Sequence, residues 1–490
     1  MAGQPREPAG PVPAGRVRRV LPLATLAGRT AGESMVAALQ QRVGRQEGAS
    51  AAARRRAADR YAELLGRSRG VLMKAGQIVS FMSLSTPPDP GEPTPYREAL
   101  QQLQSEAPPM APQDAAAVVE AELGAPPGEL YAEFEPLPFA AASIGQVHRA
   151  RLRDGRAVAV KVQYPGVEEA IRADLANVDL LATFLRVAGV ITPGMPKVDT
   201  RALVAEIAAR IGEEIDYGAE AAAQSGFAAA YRGHPFVRVP EVIGELSTRR
   251  VLTMEFADGM TWAEAAGHGQ ELRDAWGEVI YRFVWGGLRR FRMAYADPHP
   301  GNYLFHTDGS VTFLDFGCVK NYPEDKLGHL VEMIRAGVAG DAERTWRASA
   351  ALGSILPGRA PDPEELLGWM SEQWRPMTAE QPFAYTPEHA ASVARRLFSP
   401  FGPHGAVVKR MNMPPDVLFF VRMDAGVTAI LGALGSTGHW AAIRAELDGE
   451  RPPATPLGRR DAEFWAAAEA AGDPVVGDAV VEDTVAEDVS

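Results

Sequence analysis

Two polar motifs separated by a short apolar stretch constrain this chain more than any other feature of its sequence. They are Asp297–Asn302 (Asp-Pro-His-Pro-Gly-Asn) and Leu314–Gly317 (Leu-Asp-Phe-Gly). Carboxylate and amide oxygens are hard ligands of the kind that Mg²⁺ prefers. The spacing therefore predicts a Mg-nucleotide site in which Asn302 and Asp315 hold the metal. Asp297 is expected to face the attacking nucleophile.

A lysine on a predicted strand supplies a second part of this site. Val147–Leu152 and Ala157–Val162 alternate in polarity around an Asp-Gly pair, which is a strong signal for a β-hairpin. Lys161 lies near the end of the second predicted strand, in the sequence Val-Ala-Val-Lys. A lysine in this position is suited to contact the α- and β-phosphates of a nucleotide.

A small-residue loop precedes this hairpin, where a glycine-rich phosphate loop would otherwise be expected. It contains Ala141, Ala142 and Ser143, which we predict to contact the nucleotide. Small side chains let the backbone approach phosphate closely, but alanine lacks the freedom of glycine at positive φ. We therefore expect a stiffer loop.

Three acidic residues, Glu214, Asp216 and Glu220, lie on a predicted helix. At about 100° per residue, Glu214 and Glu220 point roughly 120° apart, so one basic partner is not expected to serve both. Glu220 is the predicted partner of Lys161, and Lys74 is the candidate partner of Glu214.

Composition limits the other functional classes. The formal net charge of -12 argues against a nucleic-acid partner, which needs a basic face. Cys318 is the single cysteine, so no intrachain disulfide forms and a reducing cytoplasm fits the chain best. The Arg-rich segment Arg42–Arg69 is interpreted either as a solvated helix face or as a peripheral contact with anionic lipid.

No membrane-spanning helix is predicted. The best candidate, Val417–Leu434, contains Arg422 and Asp424 and is typical of a core helix. Near the N-terminus, Pro22 and Arg29 interrupt and end an apolar stretch, which argues against a secretion signal.

Four motifs in this order resemble those of the UbiB/aarF family of atypical kinase-like proteins. They are Lys74–Gln77 (Lys-Ala-Gly-Gln), Ala140–Gln146, Glu214–Asp216 and Asp297–Asn302. The resemblance covers about residues 74–320. It implies an α+β, bilobal protein-kinase-like fold with a small β-rich N-lobe, a helical C-lobe and a helical N-terminal extension.

Composition and this resemblance together predict five segments. They are a disordered N-terminus (1–25), the helical extension carrying the Lys-x-Gly-Gln motif (26–130), the N-lobe (131–257), the C-lobe (258–447) and a disordered acidic tail (448–490).

By the same resemblance, the extension covers the cleft, and Lys74 and Gln77 enter the active site together with the Glu214–Asp216 motif as regulatory residues. Lys161, held by Glu220, would contact phosphates, and the segment around Glu255 would lie against the adenine.

The family resemblance implies binding of ATP and Mg²⁺, ATPase or phosphotransferase activity, and a link to isoprenoid-quinone or lipid metabolism. A lipid or isoprenoid-quinone precursor is the expected partner besides ATP, at a cytoplasmic or peripheral inner-membrane location. A non-catalytic, ATP-gated scaffold or lipid-handling protein is the alternative. A conventional protein kinase is disfavoured, because no Ala-Pro-Glu element follows Asp315 and the extension should block a peptide.

Overall fold

The structure is a computed structural model that describes residues 109–142, 144–169, 171, 215–296, 298–356, 358–398 and 402–472. The chain divides into two compact units. The first unit contains the described residues of Met1–Pro193, Asp199–Tyr217 and Ile243–Thr253, and the second contains those of Gly194–Val198, Gly218–Val242 and Met254–Ser490.

The strands are short, and most of them lie in the first two thirds of the described chain. They are β1 Glu133–Phe134, β2 Ala140–Ala142, β3 Gly145–Arg151, β4 Ala157–Gln163, β5 Val237–Arg238, β6 Val251–Glu255, β7 Met293–Tyr295, β8 Tyr303–Phe305, β9 Val311–Phe313, β10 Val319–Asn321, β11 Phe383–Ala384 and β12 Thr437–Gly438.

The helices of the described residues lie mostly in the second unit. They are α1 Pro112–Leu123, α2 Pro127–Leu130, α3 Tyr217–Ala230, α4 Trp262–Ala265, α5 Gln270–Tyr281, α6 Gly287–Phe291, α7 Glu324–Val338, α8 Ala342–Ala351, α9 Pro363–Thr378, α10 Pro387–Phe398, α11 Gly405–Val408, α12 Pro415–Leu434, α13 Trp440–Leu447 and α14 Pro456–Ala471. A π-helical turn, Arg282–Gly286, joins α5 to α6. Apart from α1, α2 and the first residue of α3, these helices belong to the second unit.

The first unit is built on a sheet with the strand order β1–β3–β4–β6, in which β2 also pairs with β3. The predicted hairpin is present, because β3 and β4 pair antiparallel from Gly145↔Gln163 to Arg151↔Ala157. Gly155 has a φ of 93° in the turn between them, a conformation that favours glycine. After its first residue β4 is buried, and α1 packs against it.

The second unit is organised around aromatic side chains from segments that are distant in sequence. Phe227 of α3 lies 5.3 Å from Phe283 and 5.1 Å from Phe316 between ring centroids. Burial of such large rings is a main source of stabilisation in a core. This packing explains why α3 belongs to the second unit from Gly218 onward. Each observed unit is therefore made of several separate stretches of sequence, whereas the sequence predicts two lobes that are each continuous.

The prediction of disorder from residue 448 onward is wrong for the segment that forms α14. Thr455 caps this helix by accepting a hydrogen bond from the Gly458 N–H at 2.9 Å, and Gly472 ends it with a φ of 71°. Trp465 of α14 is buried, with its ring 5.4 Å from Tyr231 and 5.5 Å from Phe291. The acidic, proline-containing composition conceals this helix, since its stability comes from tertiary contacts.

Two short strand pairs lie in the C-lobe (258–447), which the family resemblance predicts to be helical. β7 pairs with β10 and β11 pairs with β12, both antiparallel. Strands of two or three residues show too little periodicity to be recognised in a sequence.

One helix of the described chain, α12, is long and apolar enough to cross a membrane, and 67% of its most apolar window is buried inside the protein. A buried core helix meets the same criteria, which agrees with the core helix expected here. Its Asp424 accepts a hydrogen bond from Gln373 Nε2 at 2.7 Å. Burial nevertheless raises the pKa of Asp424 to about 6.

We predict that Asp424→Asn stabilises the protein in a pH-dependent way. An aspartate whose pKa is raised on folding opposes folding while it is ionised, so its cost is present above the folded pKa of about 6 and is lost as the pH falls. The free energy of unfolding of the variant should exceed that of the wild type by on the order of 1–3 kcal/mol at about pH 8, and this difference should shrink toward about pH 5. Denaturant unfolding at several pH values measures it.

The exposed Glu343 provides a matched control. Glu343→Gln should leave the free energy of unfolding unchanged at every pH. A gain from Asp424→Asn that does not depend on pH would contradict this explanation.

Candidate functional site

Lys161 and the small-residue loop lie close together in the first unit. Lys161 is buried on β4, opposite Val147 of β3. Ala141 and Ala142 form part of β2, which pairs with the start of β3. The loop therefore begins as a regular strand.

Gly145 allows this hairpin to form. A Cβ atom at this position would lie 2.3 Å from the Val162 carbonyl oxygen and 2.9 Å from the Tyr217 hydroxyl. Any side chain would therefore push β3 away from β4, since contacts this short are sterically excluded.

A buried polar network ties the end of the predicted extension to β3, and sequence reasoning does not find it. Gln146 Oε1 accepts a hydrogen bond from the Met110 N–H at 2.9 Å, and its Nε2 donates to His148 Nε2 at 2.9 Å. His148 Nδ1 then donates to the Glu135 carbonyl oxygen at 2.9 Å. Burial lowers the pKa of His148, which suits the neutral ring that this network requires.

Asp216, predicted to be a regulatory residue, makes a surface contact in the first unit. Arg249 Nε donates to its carboxylate at 3.1 Å, and the same guanidinium donates to Glu168 at 3.0 Å. The contact joins the segment before α3 to the segment before β6. Asp216 thus makes a structural contact, and its regulatory role stays a prediction.

In the second unit, the β8–β9 hairpin brings the two predicted metal ligands together. The strands pair from Tyr303↔Phe313 to Phe305↔Val311. One step beyond, the Leu314 N–H donates to the Asn302 carbonyl oxygen at 3.0 Å. Asp315 follows Leu314 directly, so the amide and the carboxylate lie at the same end of one hairpin.

Glu220 joins the same cluster, on the Gly317 side of Asp315. The Gly317 N–H donates to Asp315 Oδ1 at 3.0 Å. A Cβ atom on Gly317 would lie 3.4 Å from Asp315 Oδ1 and 3.7 Å from Glu220 Oε2. Both carboxylates therefore border the space beside Gly317, and glycine keeps that space free of a side chain.

The buried ring of Phe316 holds the Asp-Phe-Gly motif in place. Its side chain is 1% exposed and packs against Phe227 of α3, the helix that also carries Glu220. The Tyr295 ring lies 5.8 Å away on another side. Packing of one ring thus fixes the positions of Asp315 and of the helix that holds Glu220.

The loop that contains Asp297 is defined on both sides of that residue. The Ala296 N–H donates to the Cys318 carbonyl oxygen at 3.0 Å. His299 Nδ1 accepts a hydrogen bond from the Gly301 N–H at 3.1 Å, which gives it the loop-shaping role favoured by its position between two prolines. Pro298 packs so closely on α12 that a Cβ atom on Gly426 would lie 2.1 Å from Pro298 Cγ.

Glu255 has a local partner within the second unit. Its Oε2 accepts a hydrogen bond from the Glu241 N–H at 3.2 Å. Nearby, the fully buried Gln224 Nε2 donates to the Pro240 carbonyl oxygen at 2.8 Å and contacts Met254 Sδ at 3.5 Å. The Glu255 N–H also donates to the Glu241 carbonyl oxygen at 2.9 Å, and a nucleotide contact by this residue stays a prediction.

Several predicted site residues lie outside the described residues, namely Lys74, Gln77, Ser143, Glu214 and Asp297. Lys161 belongs to the first unit and Glu220 to the second, and the ion pair between them stays a prediction. Within the described ranges, no group of three or more His, Cys, Asp or Glu side chains is arranged to hold a metal ion. A site built on Asn302 and Asp315 uses one carboxylate and one amide.

The chain is similar to proteins of known families. Residues 102–349 match the ABC1 atypical kinase-like domain. The rat atypical kinase COQ8B, mitochondrial, is 35% identical over 298 residues, which cover 60% of this chain and 54% of the rat protein. Atypical kinase COQ8 of Saccharomyces cerevisiae, mitochondrial, is 30% identical over 298 residues, covering 61% and 57%.

A solved structure is also similar. Rv3197 from Mycobacterium tuberculosis, determined in complex with erythromycin, shares 33% identity with a TM-score of 0.56, covering 76% of this chain and 90% of that one. The expected α+β kinase-like fold is confirmed by these matches. The chain spans about half the length of the curated relatives it matches.

We predict that Gly426→Ala destabilises the protein because the new methyl group would overlap the rigid ring of Pro298. Overpacking of this kind costs roughly 1–3 kcal/mol. Gly328 of α7 offers a matched control, since a Cβ atom there meets nothing within 4 Å. Gly328→Ala should stabilise the protein by about 0.5–1 kcal/mol. Equal melting temperatures for the two variants would contradict the close packing of Pro298 on α12.

Proposed function

Because this chain belongs to the ABC1 (UbiB/aarF) family of atypical kinase-like proteins, we propose that it binds Mg-ATP and transfers the terminal phosphoryl group to water or to a small acceptor. The acceptor is proposed to be a lipid-type molecule, so that the reaction supports isoprenoid-quinone or lipid metabolism. Fold alone does not define a reaction, so the proposal depends on the site.

The observation that carries this proposal is the juxtaposition of Asn302 and Asp315 at one end of the β8–β9 hairpin. The main-chain hydrogen bond from the Leu314 N–H to the Asn302 carbonyl oxygen joins the two segments, so Asn302 and Asp315 lie at the same end of the hairpin. Glu220 and Asp315 both border Gly317. Oxygen ligands in this arrangement suit Mg²⁺, which commonly uses one or two carboxylates together with phosphate oxygens.

Each remaining residue has a proposed task. Lys161 would bind phosphate oxygens, and Glu220 would hold it by charge. Asp297 would orient the nucleophile, or accept its proton, when a hydroxyl group or water attacks. Bound Mg²⁺ would neutralise part of the phosphate charge. Lys74, Gln77 and Glu214 are proposed to restrict what enters the site.

Location is proposed from the chemistry of the acceptor and from the relatives. The COQ8 proteins matched are mitochondrial, and a matched Arabidopsis thaliana protein is chloroplastic. A protein that acts on a lipid-type acceptor needs access to a bilayer surface. We therefore propose a peripheral association with a membrane.

Asp315→Asn should abolish Mg-dependent ATP turnover by the purified protein, with a loss on the order of a hundredfold or more. Asparagine can still accept the hydrogen bond from Gly317 N–H, so the fold should persist. Asp325 is exposed in the first turn of α7, and Asp325→Asn is the matched control, with unchanged turnover. Phosphate release is measured with and without Mg²⁺, anionic liposomes and quinone-precursor analogues.

Two results would reject the catalytic proposal. Nucleotide-dependent shifts in melting temperature without phosphate release would favour the ATP-gated scaffold. Efficient phosphorylation of a protein in trans would favour a conventional protein kinase.

Lys74→Ala tests the role of the extension separately. We expect altered nucleotide selectivity or turnover, because a cation that enters the site would be lost. Lys326 on α7 provides the control, and Lys326→Ala should leave both unchanged. Wild-type selectivity and turnover in Lys74→Ala would show that the extension does not contribute to the site.

A further inference from the structure

A cavity in the second unit is lined by residues other than Glu220, Asn302 and Asp315. It has a volume of about 370 Å³ and lies against the π-helical turn Arg282–Gly286 and the C-terminal helix α14. Small-molecule sites typically have volumes of about 300–1,000 Å³. π-helical turns are rare and occur frequently at functional sites.

The arginine side chains that line this cavity differ in how closely they are paired with carboxylates. Arg282 donates to both Glu278 and Glu446, and Arg289 pairs with Asp448. These two guanidinium groups are therefore neutralised within the protein.

Two other guanidinium groups at the cavity are less fully compensated by carboxylates. Arg290 lies 4.3 Å above the Trp465 ring, and its nearest carboxylate is the exposed Glu469 at 3.9 Å. Arg451 is exposed and makes no ion pair with any residue in the described part of the chain. An exposed pair such as Arg290–Glu469 contributes little to stability. The cavity thus presents two available cations in a chain of net charge -12.

The two acidic residues that line the cavity, Glu446 and Asp461, do not cancel these cations, because Glu446 accepts hydrogen bonds from Arg282 and Asp461 is bonded elsewhere. Asp461 Oδ1 accepts hydrogen bonds from His234 Nε2 at 2.9 Å and from Trp465 Nε1 at 3.0 Å. His234 Nδ1 accepts from the Val237 N–H at 3.1 Å, so its single proton is on Nε2. Burial lowers the pKa of His234, which keeps the ring neutral. The Asp461 carboxylate therefore holds His234 and Trp465 in place at the cavity.

The same bonds hold the aromatic wall rigid before any ligand arrives. Trp465 and Phe236 are both buried around His234, whose ring lies 4.5 Å from that of Phe236. Gly458 lets α14 approach this closely, because a Cβ atom there would lie 2.5 Å from an Arg282 nitrogen. Preformed walls lower the entropic cost of binding.

We propose that this cavity binds a small aromatic anion. Its carboxylate, sulfonate or phosphate group would be held by Arg290 and Arg451. Its ring would lie against Leu447 and Pro453, which are half-buried apolar residues of the cavity lining. Guanidinium groups bind such oxyanions through charge-assisted hydrogen bonds. The cavity binds this ligand whether or not the protein turns over ATP.

Fluorescence titration of the full chain with anilinonaphthalene sulfonate tests the charge recognition. Its neutral ring analogue, phenylnaphthylamine, should bind at least about tenfold more weakly. The double variant Arg290→Gln/Arg451→Gln should bind the anionic probe at least about tenfold more weakly than the wild type. Its affinity for the neutral analogue should stay within about twofold of the wild-type value. Arg347→Gln removes an exposed charge from α8 and should change neither.

A cavity-filling variant tests the location. Ala462 lines the cavity and is exposed on α14, so Ala462→Trp should fold normally and exclude both probes. Melting curves verify that each variant is folded. Wild-type affinity for the anionic probe in either the double arginine variant or Ala462→Trp would overturn the proposal, because the dye would then bind elsewhere or without these cations.

Discussion

The contact between Phe227 and Phe316 is the interaction on which the second unit depends. One ring comes from the last turn of α3 and the other from the Asp-Phe-Gly motif, and both are almost fully buried. Glu220 lies two turns before Phe227, and Asp315 directly precedes Phe316. A single apolar contact thus positions two carboxylates that would otherwise repel each other. The burial of these two aromatic rings thus offsets the repulsion between the carboxylates of Glu220 and Asp315.

The parts of this structure that follow from local sequence signals could be predicted. An Asp-Gly turn between alternating strands fixes the β3–β4 hairpin and places Lys161 on it. The β8–β9 hairpin follows from similar short apolar runs, and the two motifs that flank it specify Asn302 and Asp315. In each instance the residues that define the element are neighbours in sequence.

Features that depend on distant partners could not be predicted. α14 lies in an acidic segment, and the burial of Trp465 beside Tyr231 and Phe291 has no signature in its own sequence. The close contact of Pro298 with Gly426 likewise joins a loop to a core helix more than a hundred residues later. The Gln146–His148 network needs two polar residues on one buried strand, which a hydrophobic pattern does not reveal.

The pairing of β7 with β10 has a consequence for how the two polar motifs are held. Tyr295 pairs with Val319, and Ala296 bonds to Cys318, so both polar motifs lie inside one closed loop. A residue inserted within β10 would reverse the faces of the residues that follow it unless a bulge absorbed it, whereas a residue inserted at a turn inside the loop would leave the pairing unchanged. The two strands therefore hold both motifs by the two ends of one segment, and separating the strands would release both motifs together.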